Sequence, residues 1–518
     1  MTLLYLITVA FFVIIIALIL LFGFKIVRDQ KSALKKFVED TQAKFREKDK
    51  QISELDDAIT NRNGRISDLE DLLEDFKSGL HITDEFLEVR ELLKRGEKII
   101  FVHGGAGTGK STLIQWLSKH NMIQVRLAPT GLAALNIGGK TIHKFFGFAP
   151  VPVFHKSPCK IPDIPRNNKS ILENIHTICI DEISMVRSDM IDAIDRALRT
   201  VGQEDQAFGG YQMLFVGDLY QLPPIVTSTG KLPAINFFKT KNNLCNLKTG
   251  WESEWFLDSE ILKRNQPSIV HLTKVFRQTD RKFIDLLNEI RVRQNLEENV
   301  KTLNSCIKRQ KTTPPNTVIL TTKVQTAEEE NKKKIAALPD PEVNFIADKQ
   351  GVYKEYEDKD LPVPSEFCLK RKAFVMIVYN DPDNLFVNGT TGIIERLSKQ
   401  SAEIRLKSGL TVTVFLHTWE SYKTVWNKSK KEYENILEGL FTQMPLLPAY
   451  AITCHKAQGK TLDNVHIRFE GQAFASGQSY VALSRARKIE NISAERYFNL
   501  GDFKPEMRLE YFQKNRMI

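Results

Sequence analysis

The stretch Lys98–Thr112, KIIFVHGGAGTGKST, constrains the fold of this 518-residue chain more than any other. Its first half is a short apolar run with β-branched residues, which reads as a buried strand. Gly104, Gly109, Lys110 and Ser111 fit the pattern G-x-x-x-x-G-K-[ST], and the TLIQWLSKH that follows has helical character. Strand, glycine loop and helix in that order make a phosphate-binding unit of a parallel α/β fold. The glycines let backbone N–H groups close around phosphate, the lysine reaches the terminal phosphates, and the hydroxyl holds Mg²⁺. The candidate nucleotide-binding residues are thus Gly104, Gly105, Ala106, Gly107, Thr108, Gly109, Lys110, Ser111 and Thr112.

A second strand-like run, His176–Ile180, ends at Asp181-Glu182. Two adjacent carboxylates at a strand end suit Mg²⁺ positioning by Asp181, alongside Ser111, and water activation by Glu182. Surface acids would look the same, but the phosphate loop upstream argues against that reading. A third run, Met213–Val216, leads into GDLYQLPPI, where Asp218 and Gln221 could form a γ-phosphate or water sensor. Pro223-Pro224 could equally be an ordinary rigid turn.

Together these segments resemble the early motifs of the petite-integration-frequency (PIF)/RecD-like DNA helicases: GGAGTGKS, LAPTGLAALNIGGKTIHKFFGF, ICIDEISMV and GDLYQLPPI. VFRQ (Val275–Gln278), LFVNGTTG (Leu385–Gly392), AYAITCHKAQGKTLDNV (Ala449–Val465) and YVALSRAR (Tyr480–Arg487) follow in the family's order, so the resemblance covers about residues 80–500. It implies a superfamily-one motor of α/β class, with two RecA-like P-loop NTPase lobes and ATP·Mg²⁺ in the cleft between them. Lys110, Asp181, Glu182 and Gln221 are the implied catalytic residues of the first lobe. Arg277 and Arg485 are those of the second, where an arginine finger stabilises charge on the γ-phosphate. One position departs from the family. Its helicases offer glutamine to adenine in a segment like LTDEQ, whereas this chain reads Ile82-Thr-Asp-Glu-Phe86 and puts Phe86 there.

The resemblance also supplies a track. Thr130, Thr141 and His143 fall in the first lobe's DNA-contacting motifs, where hydroxyls and imidazoles suit phosphate contacts that hold register without reading sequence. Phe145 and Phe146 could stack on bases or pack in the core. In the second lobe Asn388, Gly389, Thr453, His455, Lys456 and Gln458 match positions that contact DNA or couple it to ATP. Single-stranded DNA and tailed duplexes are the implied partners, with 5′→3′ movement. A DNA-sensing ATPase or structural module that does not unwind processively is the alternative, and a fusion or transport ATPase would be indifferent to DNA.

Two insertions are legible. Ala149–Ser170 carries Pro150, Pro152, Pro158, Pro162 and Pro165, which exclude a helix and resemble the short wedge-bearing insertion of the first lobe. Between about 392 and 445, GIIERL, AEIRL and LTVTVF alternate like strands, with Lys407-Ser408-Gly409 as a hairpin turn. The resemblance makes this a small SH3-like β-barrel. The expected boundaries are a first lobe over 80–265, with its insertion near 149–170, and a second lobe over 266–518.

Before the motor, Leu3–Phe24 is uncharged and mostly apolar, which suits a membrane-spanning helix. A cleaved signal peptide would want a positive start, a shorter apolar run and a small-residue cleavage site, and none is evident. Lys25, Arg28, Lys31, Lys35 and Lys36 follow, placing the rest on the cytoplasmic side. A bacterial inner membrane fits. Residues 25–79 carry Val38, Phe45, Ile52, Ile59, Ile66 and Leu73 at heptad spacing, with Leu34, Leu55, Leu69 and Phe76 on the companion seam. A coiled-coil stalk that self-associates is the expectation, and a single amphipathic helix packed on another surface is the alternative.

Net charge alone does not choose between lipid and nucleic acid. The chain is +10, but residues 25–79 hold 12 basic and 13 acidic residues and 1–24 hold none. The basic excess therefore lies wholly on residues 80–518, where a polyanionic track is expected. Cys159, Cys179, Cys245, Cys306, Cys368 and Cys454 show no paired spacing, which argues against a zinc site or disulfide framework and for a reducing compartment.

Overall fold

The computed structural model describes residues 79–148, 164–224 and 253–514, apart from 359–360, 380, 382–384, 428–431, 472 and 474, together with scattered positions between 8 and 77. It separates into two units, 1–82 and 83–518. In the first, residues 8–23 are helical and exposed. Among the described residues no helix is long and apolar enough to cross a membrane, so the spanning helix expected over 3–24 is not found there. Residues 3–7 and 24 and every heptad position named above lie outside the described residues.

The second unit begins with a helix, Asp84–Lys94, and a parallel sheet. Its strands are β1 (Ile99–Gly104), β2 (Val125–Ala128), β3 (Lys140–Thr141), β4 (Thr177–Ile180), β5 (Gln212–Gly217) and β6 (Ser268–Leu272), in the order β3-β2-β4-β5-β1-β6. Strands β1 and β4 are buried at every position, which is why their sequences run apolar without alternation. The first lobe reaches residue 272 rather than 265, because β6 pairs with β1 from Ile100↔Ser268 to Gly104↔Leu272.

After it come β7 (Lys308–Arg309), β8 (Val318–Thr321) and an antiparallel insertion. The insertion holds β9 (Glu342–Ile346), β10 (Asp348–Gly351), β11 (Glu366–Lys370), β12 (Phe374–Ile377), β13 (Thr391–Leu397), β14 (Ser401–Leu406), β15 (Thr411–Phe415), β16 (His417–Asn427), β17 (Glu432–Gln443) and β18 (Leu446–Pro448). One antiparallel sheet, β15-β14-β13-β12-β18, encloses Val375, Ile394, Ile404, Val414 and Leu446. A second, β10-β17-β16, is dominated by the long β16–β17 hairpin. The antiparallel region thus starts near 342, well before 392. Finally β19 (Ala451–Thr453), β20 (Val465–Arg468) and β21 (Ile492–Ala494) complete a parallel sheet, β19-β8-β20-β21-β7.

Two further expectations change. Residues 149–163 lie outside the description, but Arg166–Leu172 is a helix where an irregular segment was expected. The last proline, Pro165, stands at its N-cap, where a proline starts a helix rather than breaking it. The C-terminal helix Met507–Lys514 follows the second lobe in sequence, yet buries Leu509 and Phe512 in the first-lobe core. Arg508 on this helix pairs with the buried Asp258. Among the described residues Cys179, Cys306, Cys368 and Cys454 are free thiols.

Candidate nucleotide site and nucleic-acid face

In a parallel sheet ligands collect outside the carboxyl ends of the strands. Here β1 ends in the glycine loop, β4 in Asp181-Glu182 and β5 in Asp218. The helix Lys110–Lys119 begins on Gly109, whose φ of 88° only glycine adopts freely. Lys110 Nζ donates to the carbonyls of Gly104 and Gly105, each at 2.8 Å. Thr108 Oγ1 donates to Gly105 O at 3.0 Å and braces the loop from inside. Ser111 is exposed and Thr112 half-buried on the first helical turn.

The second lobe closes over the loop. Ala106 N–H donates to the Tyr480 hydroxyl at 2.9 Å, and Phe276 N–H donates to Gly107 O at 2.8 Å. A Cβ on Gly107 would lie 2.5 Å from Arg277 Cβ, so only glycine admits this approach. Arg277 donates to Ser484 O (3.3 Å) and Gly459 O (3.2 Å). Arg485, 1% exposed, donates to the carbonyls of Val481, Ala457 and Lys460. Both guanidiniums thus rest on backbone oxygens. Burial, with Arg485 nearby, holds Arg277 down to about 9, and burial lowers Arg485 as well.

The carboxylates are deep. Glu182 sits in the left-handed region (φ 49°, ψ 44°), its N–H donates to Asp181 Oδ1 at 2.8 Å, and Gln458 Nε2 donates to Glu182 Oε2 at 2.8 Å. Burial, then the neighbouring Glu182 charge, raises the Asp181 carboxyl, and burial raises Glu182 against the pull of Lys110. Among the described residues no group of three or more His, Cys, Asp or Glu could hold a metal by itself. The Ser111 hydroxyl and the Asp181 carboxylate suit Mg²⁺, which takes one or two hard protein oxygens and completes its shell with water and phosphate. Ser111 and Asp181 would supply those oxygens. A cation beside Asp181 would also offset the burial and the neighbouring Glu182 charge that raise it.

Sequence reading found Asp218 but missed its main partner. Arg291, on the second-lobe helix Arg281–Val292, donates to Asp218 Oδ1 from NH2 (2.8 Å) and Nε (3.1 Å), and its NH2 lies 2.6 Å from His103 Nε2. Gln221 Nε2 donates to Asp218 Oδ2 at 3.0 Å. Burial pushes the Asp218 carboxyl up, but Arg291 and Lys110 outweigh it and the group ends at about 2. Nothing in the local pattern NEIRVRQ marks Arg291, because only the fold brings it to the sensor loop. Phe276 was also passed over. It is 39% exposed, and a Cβ on Gly109 would meet its ring at 3.5 Å. Phe86, by contrast, is 1% exposed and packs near Trp116, so it is a core residue of the helix beneath the loop.

Three threonines repeat one device. Thr141 and Thr453 end β3 and β19 and Thr130 stands two residues after β2, and each accepts an N–H from three residues on, so they cap Gly131–Asn136, Ile142–Phe146 and Cys454–Ala457. A hydroxyl that accepts from its own helix keeps its proton to donate outward. His143 and His455 are half-buried, and burial lowers both, while Lys456 is exposed. Lys460 Nζ donates to Asn388 Oδ1 at 2.8 Å, and Gly389, at φ 100°, packs on Thr461. Phe145 is not at the surface. It is 2% exposed, lies edge-on to Phe146 at 5.0 Å and sits in the first-lobe core, so base stacking by Phe145 is corrected to packing.

A family profile described as PIF1-like helicase matches residues 84–301. The chain is 31% identical over 422 residues to human ATP-dependent DNA helicase PIF1, covering 79% of this chain and 60% of that protein, so it spans less than two thirds of that relative. Bacteroides sp Pif1 in complex with ADP-AlF4 superposes with a TM-score of 0.75 at 30% identity, over 84% of this chain and 97% of that one. Bacteroides Pif1 bound to ssDNA gives 0.58 at 30% identity, over 84% and 97%. A likeness that runs through nearly the whole Bacteroides protein, and through both lobes and the glycine loop between them, places this chain in the PIF1-like helicase family.

Proposed function

We propose that the chain is an ATP-dependent DNA helicase that translocates 5′→3′ on single-stranded DNA. The observation that carries this reading is the meeting of Lys110, Asp181, Glu182 and Gln221 from one lobe with Arg277 and Arg485 from the other, around a single glycine loop. The related proteins are described as helicases, and as complexes with ADP-AlF4 or ssDNA, which supports the same reading.

In this reading the loop amides and Lys110 bind the ATP phosphates, and Ser111 and Asp181 would hold a Mg²⁺ ion, which would supply charge neutralisation when bound. Glu182, steadied by Gln458, takes the proton of the attacking water. Gln221 senses the γ-phosphate. Arg277 and Arg485 leave neutral carbonyls for the charge that develops on the γ-phosphoryl group. Phe276 offers a face on which the base can stack, which replaces the specific glutamine that this chain lacks. Thr130, Thr141, His143, Asn388, Gly389, Thr453, His455 and Lys456 hold the DNA backbone. The antiparallel sheet over 374–448 is the SH3-like barrel of this reading.

We further propose attachment to the inner membrane through residues 3–24, with the helicase body in the cytoplasm, and self-association through a coiled coil over 25–79. The support is the uncharged apolar run, the five cations after it and the heptad spacing.

Strand displacement on 5′- and 3′-tailed duplexes, with Lys110→Ala as control, tests the motor. The expected result is ATP-dependent unwinding of the 5′-tailed substrate only. DNA-stimulated ATP hydrolysis with neither duplex opened would overturn it and leave a DNA-sensing ATPase. Flotation with anionic vesicles tests the anchor: the full chain should float and residues 80–518 alone should not. Crosslinking that finds only monomers, with and without residues 25–79, would exclude the oligomer.

A further inference from the structure

Lys460 is 6% exposed, an unusual place for an ammonium group, since buried lysines are rare unless paired. Among the described residues no carboxylate reaches it within salt-bridge distance, and its Nζ donates to the side-chain oxygen of Asn388 at 2.8 Å. Burial accordingly holds it down to about 8. A charge kept in so poor an environment costs stability, so it calls for a reason beyond packing.

Its neighbours supply one. The segment Gly459-Lys460-Thr461 is a crosspiece with a different site on each side. On one side its carbonyls carry the two arginines: Arg277 donates to Gly459 O at 3.2 Å and Arg485 to Lys460 O at 3.4 Å. On the other side it holds the Val387-Asn388-Gly389 loop. Asn388 takes the Lys460 ammonium, and a Cβ on Gly389 would stand 2.7 Å from Thr461 O and 3.4 Å from Lys460 Cβ. One residue therefore touches an ATP-site guanidinium through its carbonyl and a nucleic-acid loop through its side chain.

We propose that Lys460 is a positioning residue that couples the nucleotide state of Arg277 and Arg485 to the grip of the Asn388 loop on single-stranded DNA. When a guanidinium leaves its carbonyl for a γ-phosphate, the crosspiece is free to shift, and the ammonium carries Asn388 with it. Apolar packing alone would let the loop stay behind. The inference rests on the helicase reading and adds to it a residue that contacts neither ATP nor DNA.

Coupling is a measurable and reciprocal quantity: the factor by which nucleotide changes DNA affinity equals the factor by which DNA changes nucleotide affinity. The test uses the full chain and a labelled oligo-dT strand, titrated with and without a saturating non-hydrolysable ATP analogue. In the unmodified protein the analogue should change oligonucleotide affinity by about 5-fold or more. Lys460→Met should bring that factor to within about twofold of unity while leaving nucleotide-free affinity within about threefold. Lys460→Arg, which keeps a cationic donor, should restore it.

Asn388→Ala breaks the same bond from the half-buried loop, so it serves if Lys460→Met melts early. Combined with Lys460→Met it should remove no further coupling. Full coupling in Lys460→Met, or additive losses in the double variant, would overturn the proposal. Absence of oligonucleotide binding by the unmodified chain would instead overturn the helicase reading beneath it, so the two failures are distinguishable.

Discussion

At the residue scale, the site is built from groups held in costly states. Glu182 occupies a left-handed conformation at φ 49° that glutamate rarely adopts, while packing and the Gln458 contact fix it there. Glu182→Gln keeps size and hydrogen bonding but removes the proton acceptor. Nucleotide binding should persist while hydrolysis falls by about 10²–10⁴-fold, read as kcat against KM in an ATPase assay. Asp218 gives a pH signature. Its folded carboxyl titrates at about 2, below the ordinary value of 3.8, so in that window the unfolded chain binds more protons. The Arg291 pair therefore contributes stability above about pH 4 and loses it as pH falls towards 2. Denaturant melts across this range should show a shallower acid loss in Asp218→Asn, from a lower starting stability, because Arg291 is left buried without its partner.

At the scale of elements, strand–threonine–helix recurs at Thr130, Thr141 and Thr453, and the same hydroxyl serves fold and proposed function. Thr141→Ala should cost about 1 kcal/mol as a lost cap and also weaken oligonucleotide binding evenly across sequences. Thr141→Ser should restore both. Thermal melts and binding titrations on the same samples separate the two effects. Phe145→Ala should behave differently, losing about 3–5 kcal/mol of stability, with DNA affinity unchanged in the fraction that folds. These elements also mark where sequence reading works. The glycine loop and the acidic strand end were legible as positions because their chemistry demands residue types at fixed spacing, and the second-lobe arginines came from the motif resemblance. The role of Phe145 was not, because FF after a capped turn looks alike whether it faces solvent or core. Arg291 and Lys460 were illegible for a related reason: a lone cation acquires meaning only from what the fold sets against it.

At the scale of the whole molecule, the same limit governs the domain plan. Two lobes were read from motif order and an insertion from strand-like alternation, while the structure carries the first parallel sheet on to residue 272 and begins its antiparallel strands at 342. The pairing of β6 with β1 and the β9–β11 strands are non-local, and short runs such as SIVHL carry no label for their sheet. The C-terminal helix is the clearest case. Met507–Lys514 leaves the second lobe and lays Leu509 and Phe512 into the first, so the chain ties its two lobes together. Asp258, fully buried, depends on this strap: Arg508 Nε donates to it at 2.6 Å, Ser253 donates from within the first lobe, and Lys263 stands farther off at 3.8 Å. Removing one partner of a buried ion pair costs about 3–5 kcal/mol, because the other charge stays behind. Arg508→Ala should therefore lower the thermal stability of the first lobe, although residue 508 follows the second lobe in sequence. Adding Asp258→Asn should recover part of the loss, since no uncompensated charge remains. If Arg508→Ala instead melts as the unmodified chain does, the Arg508–Asp258 pair carries no load, and the lobes are held by the cleft contacts of Arg291, Tyr480, Phe276 and Gln458.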